Sequence, residues 1–110
     1  LGLDSLVAII DCNKLQAMGK TENIINLEPL EEKFTAFGWN IFRIDGHNHK
    51  ILHDTISKNV NHNNGKPTII IADTVKGKGV SFMENKLEWH YRSPKEDEYY
   101  SALKEIRGHL

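Results

Sequence analysis

The sequence predicts an α/β fold built around a parallel β-sheet. Two observations lead to this class: three short apolar runs that each end at an aspartate, and helical patterns that separate them. The runs occupy residues 6–11, 39–45 and 67–73, and the first and third are almost entirely aliphatic. Strands that are covered on both faces have this composition, because neither face can be polar. We therefore expect three parallel strands whose carboxyl ends share one edge of the sheet.

Three amphipathic segments predict the helices that accompany these strands. Their apolar positions recur at helical spacing, and they are Leu30, Phe34 and Phe37; Leu52, Ile56 and Val60; and Tyr99, Ala102, Leu103 and Ile106. Each segment also begins with residues typical of helix amino termini, namely Pro29, the cap Asn48, and a Ser93/Glu96 capping box around Pro94. A polar turn over residues 61–65 ends the second pattern. The order is β-α-β-α-β, then a loop and a last helix, which is that of a three-layer parallel-sheet protein.

Composition excludes several classes of function. The chain has 110 residues and a formal net charge of −1, which indicates one small domain without a positive field for nucleic acid or an anionic membrane. No apolar run reaches the roughly 20 residues of a membrane helix, and the first residues lack the pattern of a leader. The single cysteine, Cys12, cannot form an internal disulfide and fits a reducing compartment. We therefore expect a cytoplasmic protein that binds neither nucleic acid nor membrane.

Two segments that follow predicted strands carry candidate ligand-binding residues, since parallel sheets bind ligands beyond their carboxyl ends. After the first run, the amide of Asn13 and the carbonyl of Leu15 offer oxygen ligands for Mg²⁺ or Ca²⁺, and an Asx turn is the alternative. After the third run, Lys76 lies among glycines that let backbone N–H groups approach an anion, and a solvated basic loop is the alternative. His90 ends a long following segment and is weak as an isolated signal.

A histidine cluster follows the second run. His47, His49 and His53 crowd one helix start, and His49 and His53 have the spacing of two ligands on one helix face. No cysteine or glutamate accompanies them at ligand spacing, and no His-Glu-x-x-His motif is present. The pattern favours a turn and a helix cap over a metal-dependent nuclease or nucleotide-binding site.

Six motifs occur in a fixed order along almost the whole chain. They are IDCNKLQ from residue 10, KFTAFGW from residue 33, IDGH from residue 44, KPTIII from residue 66, ADTVKGKG from residue 72 and FMENKLEWH from residue 82. Together they resemble the amino-terminal, thiamine-diphosphate-binding part of transketolases, above all the bacterial and archaeal form that is split into two chains. Deoxyxylulose-phosphate synthases are similar in the Lys-Gly-Lys-Gly segment, but the spacing to His90 looks more like transketolase.

The resemblance implies a transferase of the pentose phosphate pathway. Such an enzyme moves a two-carbon ketol unit between sugar phosphates with thiamine diphosphate and a divalent ion, Mg²⁺ or Ca²⁺. By resemblance, the Asn13 side chain and the Leu15 carbonyl are metal ligands. Lys76 and His90 face the diphosphate or the substrate, His90 being the catalytic candidate, while His47 belongs to a structural turn.

The sequence also departs from the family pattern. Tyr91 stands where the family commonly has glycine, and no Gly-Asp-Gly segment, the family's source of a metal-binding aspartate, precedes Asn13. We therefore expect residues 1–110 to be the carboxyl-terminal portion of the cofactor-binding domain, inactive alone. Its expected partners are the sugar phosphate, the pyrimidine-binding subunit or domain, and a second copy of the chain, since an exposed sheet edge invites pairing. A non-catalytic interaction module with the same fold is the alternative.

Overall fold

The computed structural model describes residues 3–60 and 64–108. The elements in chain order are β1 (Val7–Cys12), β2 (Leu15–Gln16), β3 (Gly19–Lys20), α1 (Thr21–Ile24), α2 (Leu30–Ala36), β4 (Asn40–Asp45), α3 (His49–Asn59), β5 (Thr68–Asp73), a 3₁₀ turn (Leu87–His90) and α4 (Glu96–Gly108). They form two compact units. The first unit consists of two segments, the chain up to Cys12 and the segment Asn26–Thr74. The second unit consists of Asn13–Ile25 and the chain from Val75 onward.

The first unit is built on a parallel sheet with strand order β1-β5-β4. At the carboxyl ends, Cys12 and Asp45 both lie beside Asp73 of the central strand. Ile70 and Ile71 of β5 are 0% exposed. This strand lies between β1 and β4, and successive side chains on its two faces are buried. The predicted α/β class and the common edge at which the three strands end are therefore confirmed.

One face of the sheet packs against α2. Leu30 of that helix forms a buried cluster with Ile69 and Ile71 of β5, and Phe34 and Trp39 pack against the cluster. The rings of Phe34 and Trp39 meet edge to face with centroids 5.6 Å apart. Burial of each large aliphatic side chain contributes about 1.5–3 kcal/mol, so this cluster is a main source of the unit's stability.

The predicted place of Phe37 in the apolar face of α2 is wrong, since its side chain is 75% exposed. The helix ends at Ala36, and Gly38 then takes a φ of +82°, a left-handed conformation that favours glycine. This reversal lets the N–H of Trp39 donate to the carbonyl of Phe34 at 3.0 Å. Trp39 thus folds back onto the helix and Phe37 is left outside.

Of the three predicted helix starts, two are confirmed and one is wrong. Pro29 directly precedes α2, at its N-cap position. Asn48 caps α3, because its Oδ1 accepts the N–H of Ile51 at 3.1 Å. The Ser93/Glu96 capping box does not form, and α4 begins at Glu96. Instead, the carboxylate of Glu98 accepts the N–H of Lys95 at 2.8 Å, which satisfies a donor at the helix start in its place. Of the predicted turn at 61–65, residues 61–63 lie outside the described part, and Gly65 has a turn-like φ of +76°.

Over residues 3–60 and 64–108, each helix is too short or too polar to cross a membrane.

Candidate functional site

A small pocket in the second unit holds the candidate ligand-binding residues. Its volume is about 80 Å³, and its lining residues are Asn13, Leu15, Gln16, Lys76, Leu87 and His90. All four site residues predicted from the sequence, Asn13, Leu15, Lys76 and His90, therefore line one cavity although 77 positions separate the first from the last. A pocket of this size admits a phosphate-sized group but not a whole cofactor, since sites for drug-sized ligands measure about 300–1,000 Å³.

A short hairpin positions the first wall of the pocket. The Oδ1 of Asn13 accepts the N–H of Leu15 at 2.9 Å, which is the Asx turn weighed as an alternative to metal binding. Lys14, in the middle of this turn, has a φ of +62°, and its carbonyl accepts the N–H of Thr21 at 2.9 Å. β2 then pairs with β3 in antiparallel fashion, with Gln16 opposite Gly19. The turn leaves one lone pair of the Asn13 oxygen for a ligand.

A loop closed by its own hydrogen bonds carries Lys76. The carbonyl of Lys76 accepts the N–H of Asn85 at 2.9 Å, and Glu84 accepts the N–H of Gly79 at 3.1 Å. Gly77 has a φ of +75°, and a Cβ at this position would lie 2.6 Å from the carbonyl oxygen of Met83. Val80 is only 6% exposed. The segment is therefore a compact turn anchored by backbone contacts, not the solvated basic loop that was the alternative.

The two lysines of the Lys-Gly-Lys-Gly motif differ in their partners. The ammonium of Lys78 lies 3.6 Å from Oε1 of Glu84. Within the described ranges, no carboxylate lies at ion-pair distance from the ammonium of Lys76. Lys76 is half-buried and lines the pocket, so its positive charge is available to an anionic group there.

Aromatic residues on both sides of His90 stabilise the turn that carries it, and the His90 side chain is exposed. Before it, the indole N–H of Trp89 donates to the carbonyl of Phe82 at 3.2 Å, and the guanidinium of Arg92 lies 3.8 Å from the Trp89 ring centroid. After it, Tyr91 meets the His90 ring edge to face at 5.5 Å, and its hydroxyl donates to the carbonyl of Ala17 at 3.0 Å. These contacts fix the 3₁₀ turn that brings the imidazole to the pocket.

The histidine cluster lies in the first unit and forms a turn and a cap, as the pattern favoured. The N–H of His47 donates to Oδ1 of Asp45 at 2.9 Å, the N–H of Gly46 donates to the carbonyl of Asp73 at 2.8 Å, and Asn48 caps α3. The described part of the chain contains no group of three or more His, Cys, Asp or Glu side chains that could hold a metal ion. The described residues therefore offer no metal site for the histidine-based nuclease interpretation.

The donor set of the pocket suits an anion better than a cation. Lys76 offers an ammonium and Gln16 an amide, and the Nε2 of Gln16 is buried without a hydrogen-bond partner among the residues that the structure describes. For a divalent ion the pocket offers only the neutral oxygens of Asn13 and Leu15, which compete poorly with water on their own. The residues therefore fit the diphosphate end of a cofactor, and a metal ion would need further ligands.

Gln16 and Leu87 are pocket residues that the sequence interpretation missed. Gln16 closes the first motif, IDCNKLQ, where its residue type alone indicates no role. Its hairpin has a two-residue turn of Ala17 and Met18, which lacks the Asn-Gly or Asp-Gly signal typical of such turns. Neither residue type nor spacing could have marked these two positions.

The fold is that of a parallel α/β protein, and one small pocket is lined by Lys76, His90 and two amide side chains. Residues 1–109 match the family model described as transketolase, thiamine diphosphate binding domain. The chain therefore belongs to the transketolase amino-terminal family, and the resemblance based on the six motifs is confirmed.

Curated relatives and solved structures agree with this assignment. The chain is 40% identical over 104 residues to an apulose-4-phosphate transketolase subunit from Phocaeicola vulgatus, covering 94% of this chain and 37% of that protein. It is 42% identical over 104 residues to the 6-deoxy-6-sulfo-D-fructose transketolase subunit SqwG from Clostridium sp., covering 94% of this chain and 38% of that protein. The transketolase structure from Campylobacter jejuni matches with a TM-score of 0.87 at 24% identity, over 96% of this chain and 16% of that chain, which supports the fold. The chain thus spans little more than a third of the length of these curated relatives.

Proposed function

We propose that this chain forms part of the diphosphate-binding wall of a transketolase-type enzyme that transfers a two-carbon ketol unit between sugar phosphates. The observation that carries the proposal is the pocket in which Lys76, His90 and Asn13 meet, in a chain of a thiamine-diphosphate-binding family. Thiamine diphosphate supplies the carbanion chemistry when bound. The residues of this chain bind and orient it.

Lys76 is proposed to neutralise a phosphate oxygen. Its ammonium has no carboxylate partner in the part of the chain that is described, whereas Lys78 is paired with Glu84. A lysine that contributes only to solubility would point away from a cavity, but Lys76 is half-buried in a cavity wall. An ammonium in such a wall makes stronger hydrogen bonds to phosphate than it makes in open solvent.

Asn13 and Leu15 are proposed to supply two oxygen ligands to a divalent ion, Mg²⁺ or Ca²⁺. The Asx turn orients the Asn13 amide, and the hairpin fixes the Leu15 backbone. Mg²⁺ ordinarily combines protein oxygens with phosphate oxygens and water. The diphosphate and a carboxylate from outside this chain would complete the ion's ligands.

His90 is the proposed catalytic residue. An imidazole can donate a hydrogen bond from one ring nitrogen and accept a proton at the other. Tyr91 meets its ring edge to face at 5.5 Å, and His90 and Lys76 both line the pocket. His90 would hold or move a proton at a substrate oxygen.

The rest of the active site is proposed to come from other parts of the assembly. The pocket is too small for the whole cofactor, and the apulose-4-phosphate transketolase subunit is almost three times as long as the matched region. We expect two partners, a pyrimidine-binding subunit or domain, and a second copy of the chain. We also expect the isolated chain to be inactive, and the assembly to act in the cytoplasm.

Binding of thiamine diphosphate with Mg²⁺ to the native assembly that contains this chain tests the proposal. We expect Lys76→Met to weaken binding about 10- to 100-fold in titration calorimetry, because a charge-assisted hydrogen bond is worth about 1.5–3 kcal/mol. Lys78→Met is the matched control. It also removes one lysine charge, two residues from Lys76, but the side chain of Lys78 is already paired with Glu84. Equal effects of the two variants would contradict the assignment of Lys76.

The competing functions predict different outcomes. A non-catalytic module would bind neither thiamine diphosphate nor inorganic diphosphate. A deoxyxylulose-phosphate-synthase-like enzyme would bind the cofactor and turn over pyruvate with glyceraldehyde phosphate, not a ketose phosphate with an aldose phosphate. The two curated relatives described above are both named as transketolase subunits, which supports ketol transfer.

A further inference from the structure

The Nε2 of Gln16 is a buried amide nitrogen with no hydrogen-bond partner in the described ranges. Buried polar atoms are normally satisfied, because leaving one without a partner costs the free energy of removing it from water. A leucine or methionine would fill the same space without that cost. Gln16 lines the pocket, so a group that enters the pocket can accept this hydrogen bond once the side chain turns its amide nitrogen toward it.

The backbone fixes where this amide lies. Gln16 pairs with Gly19 across a two-residue turn, and the Asx turn of Asn13 holds the preceding Leu15. The turn is itself tied down, since the hydroxyl of Tyr91 donates to the carbonyl of Ala17 at 3.0 Å. Gln16 is thus presented to the pocket by a constrained hairpin.

The surroundings of Gln16 decide the charge of the missing partner. Lys76 and His90 also line this pocket, and none of its lining residues is acidic. An amide nitrogen carries two N–H donors and cannot accept a hydrogen bond. The group that satisfies it must therefore bring an oxygen acceptor, and the neighbouring ammonium favours an anionic one.

We propose that Gln16 is a phosphate-binding residue whose Nε2 donates a hydrogen bond to an oxygen of the anionic group held beside Lys76. That the group is the diphosphate of the cofactor rests on the proposed function. That the group is anionic rests on the lining of the pocket alone. Gln16 then acts by binding and orienting the diphosphate, while Lys76 neutralises its charge.

The test compares two Gln16 variants in the native assembly, with inorganic diphosphate and thiamine diphosphate as separate probes. Gln16→Met keeps the length of the side chain but removes both N–H donors. We expect it to weaken binding of both probes about 10- to 100-fold, the usual effect of losing a hydrogen bond to a charged acceptor. Gln16→Glu places a carboxylate against the anion, and we expect still weaker binding.

Stability without ligand separates a binding role from a structural one. Because the amide has no internal partner, Gln16→Met should leave the melting temperature of the ligand-free protein unchanged or higher. A structural glutamine would lower it. Met18→Ala is the control, since Met18 lies in the same hairpin, is 79% exposed and does not line the pocket, and it should bind both probes as the wild type does.

Four outcomes would overturn the inference. Three concern the variants: wild-type affinity in Gln16→Met, a lower melting temperature of ligand-free Gln16→Met, and tighter Mg²⁺ binding in Gln16→Glu. The fourth is that the wild type binds neither inorganic diphosphate nor thiamine diphosphate. The last result would also overturn the proposed function. Binding of inorganic diphosphate that depends on Gln16, without binding of thiamine diphosphate, would overturn the proposed function alone.

Discussion

The guanidinium of Arg43 forms a two-pronged ion pair with the carboxylate of Asp73, with Nε 2.8 Å from Oδ2 and Nη2 3.0 Å from Oδ1. The pair links the neighbouring strands β4 and β5 near their carboxyl ends. The same guanidinium reaches Glu28 at 2.9 Å and Glu31 at 3.2 Å. Hydrogen bonds to Asp73 and Glu28 raise the pKa of Arg43, and the bond from Arg43 in turn lowers the pKa of Glu28. One guanidinium therefore forms ion pairs with three carboxylates and links α2 to the sheet.

Replacing Arg43 should destabilise the first unit. We expect Arg43→Met to lower the free energy of unfolding by about 2 kcal/mol, because it removes charge-assisted bonds from a side chain that is only 25% exposed and leaves three carboxylates facing one another. Arg43→Lys should recover part of the loss, since lysine keeps the charge but lacks the planar fork. Urea denaturation measures both changes.

The matched control for Arg43 is a surface pair on α3. Lys50 contacts Asp54 at 2.8 Å but is 84% exposed, and exposed pairs contribute little. Lys50→Met should therefore leave the urea midpoint almost unchanged. If Arg43→Met shifted the midpoint no further than Lys50→Met, the ion-pair cluster would have no role in stability.

Two glycines of the Lys76 loop should respond differently to alanine. Gly77 and Gly79 both have positive φ, +75° and +92°, so alanine strains either backbone by roughly 1–2 kcal/mol. Only at Gly77 would the new Cβ meet a fixed group, the carbonyl of Met83, whereas the space beside Gly79 is open. We expect Gly77→Ala to cost about 1–3 kcal/mol more than Gly79→Ala in thermal or urea unfolding.

The glycine pair also reports on the pocket. Because Gly77 adjoins Lys76, relief of the clash with Met83 should displace the lysine and weaken diphosphate binding in Gly77→Ala more than in Gly79→Ala. Indistinguishable unfolding curves for the two variants would show that the loop does not pack as the structure describes.

Stability should fall with acid through the ion pair at the start of α4. Hydrogen bonds from Arg92 hold the pKa of Glu98 at about 2, below the ordinary value of 4.5. A carboxyl whose pKa is lowered by folding stabilises the folded state above its unfolded pKa, and this gain disappears as pH falls through the folded pKa. The difference in unfolding free energy between wild type and Glu98→Gln should thus be constant above pH 4.5 and shrink from there toward pH 2.

Salt dependence and a control carboxylate make the pH measurement specific to the Glu98 ion pair. The pair is solvent-accessible, so the difference should also shrink as ionic strength rises. Asp97 is a neighbouring carboxylate on the same helix, and it forms no ion pair in the described part of the chain. The difference in unfolding free energy between wild type and Asp97→Asn should therefore depend less on pH. A difference between wild type and Glu98→Gln that stayed level down to pH 2 would exclude this pair as its source.

The sheet and its edge were predictable because their determinants are local. β5 is an unbroken aliphatic run, and a strand of that composition must be central and covered. Asn13 directly follows β1 and Lys76 lies three residues after the end of β5, and these two strands proved to be neighbours. Residue type and chain position raised them as candidates beside an Asx turn and a solvated loop, and only the resemblance to transketolases favoured the binding roles.

The features that sequence reasoning missed depend on contacts that no local pattern encodes. The exposure of Phe37 follows from Trp39 folding back onto Phe34, and the absence of a Ser93 cap follows from Glu98 satisfying the helix start. The unsatisfied amide of Gln16 is visible only when its surroundings are known. Periodicity and motifs do not report what a side chain fails to contact.

Removing the hydroxyl of Tyr91 should loosen the hairpin that presents Gln16. The hydroxyl is the donor to the carbonyl of Ala17 at 3.0 Å, so Tyr91→Phe deletes this tie while keeping the ring that meets His90 at 5.5 Å. Because Tyr91 is 65% exposed, we expect a small loss of global stability, about 0.5–1 kcal/mol. Local opening should increase more clearly, and hydrogen exchange at the amide of Thr21, which bonds the carbonyl of Lys14, measures it.

The comparison with Tyr91→Gly separates the hydroxyl from the ring, and glycine is the residue that the family commonly has at this position. Both variants lose the bond to Ala17 and should expose the Thr21 amide equally. Only the glycine variant also frees the edge of the His90 ring, so only it should change the KM for a sugar phosphate in the transketolase-type assembly proposed above. Equal KM values in the two variants would show that the ring has no influence on the substrate, and unchanged exchange at Thr21 would show that the hairpin does not depend on the hydroxyl.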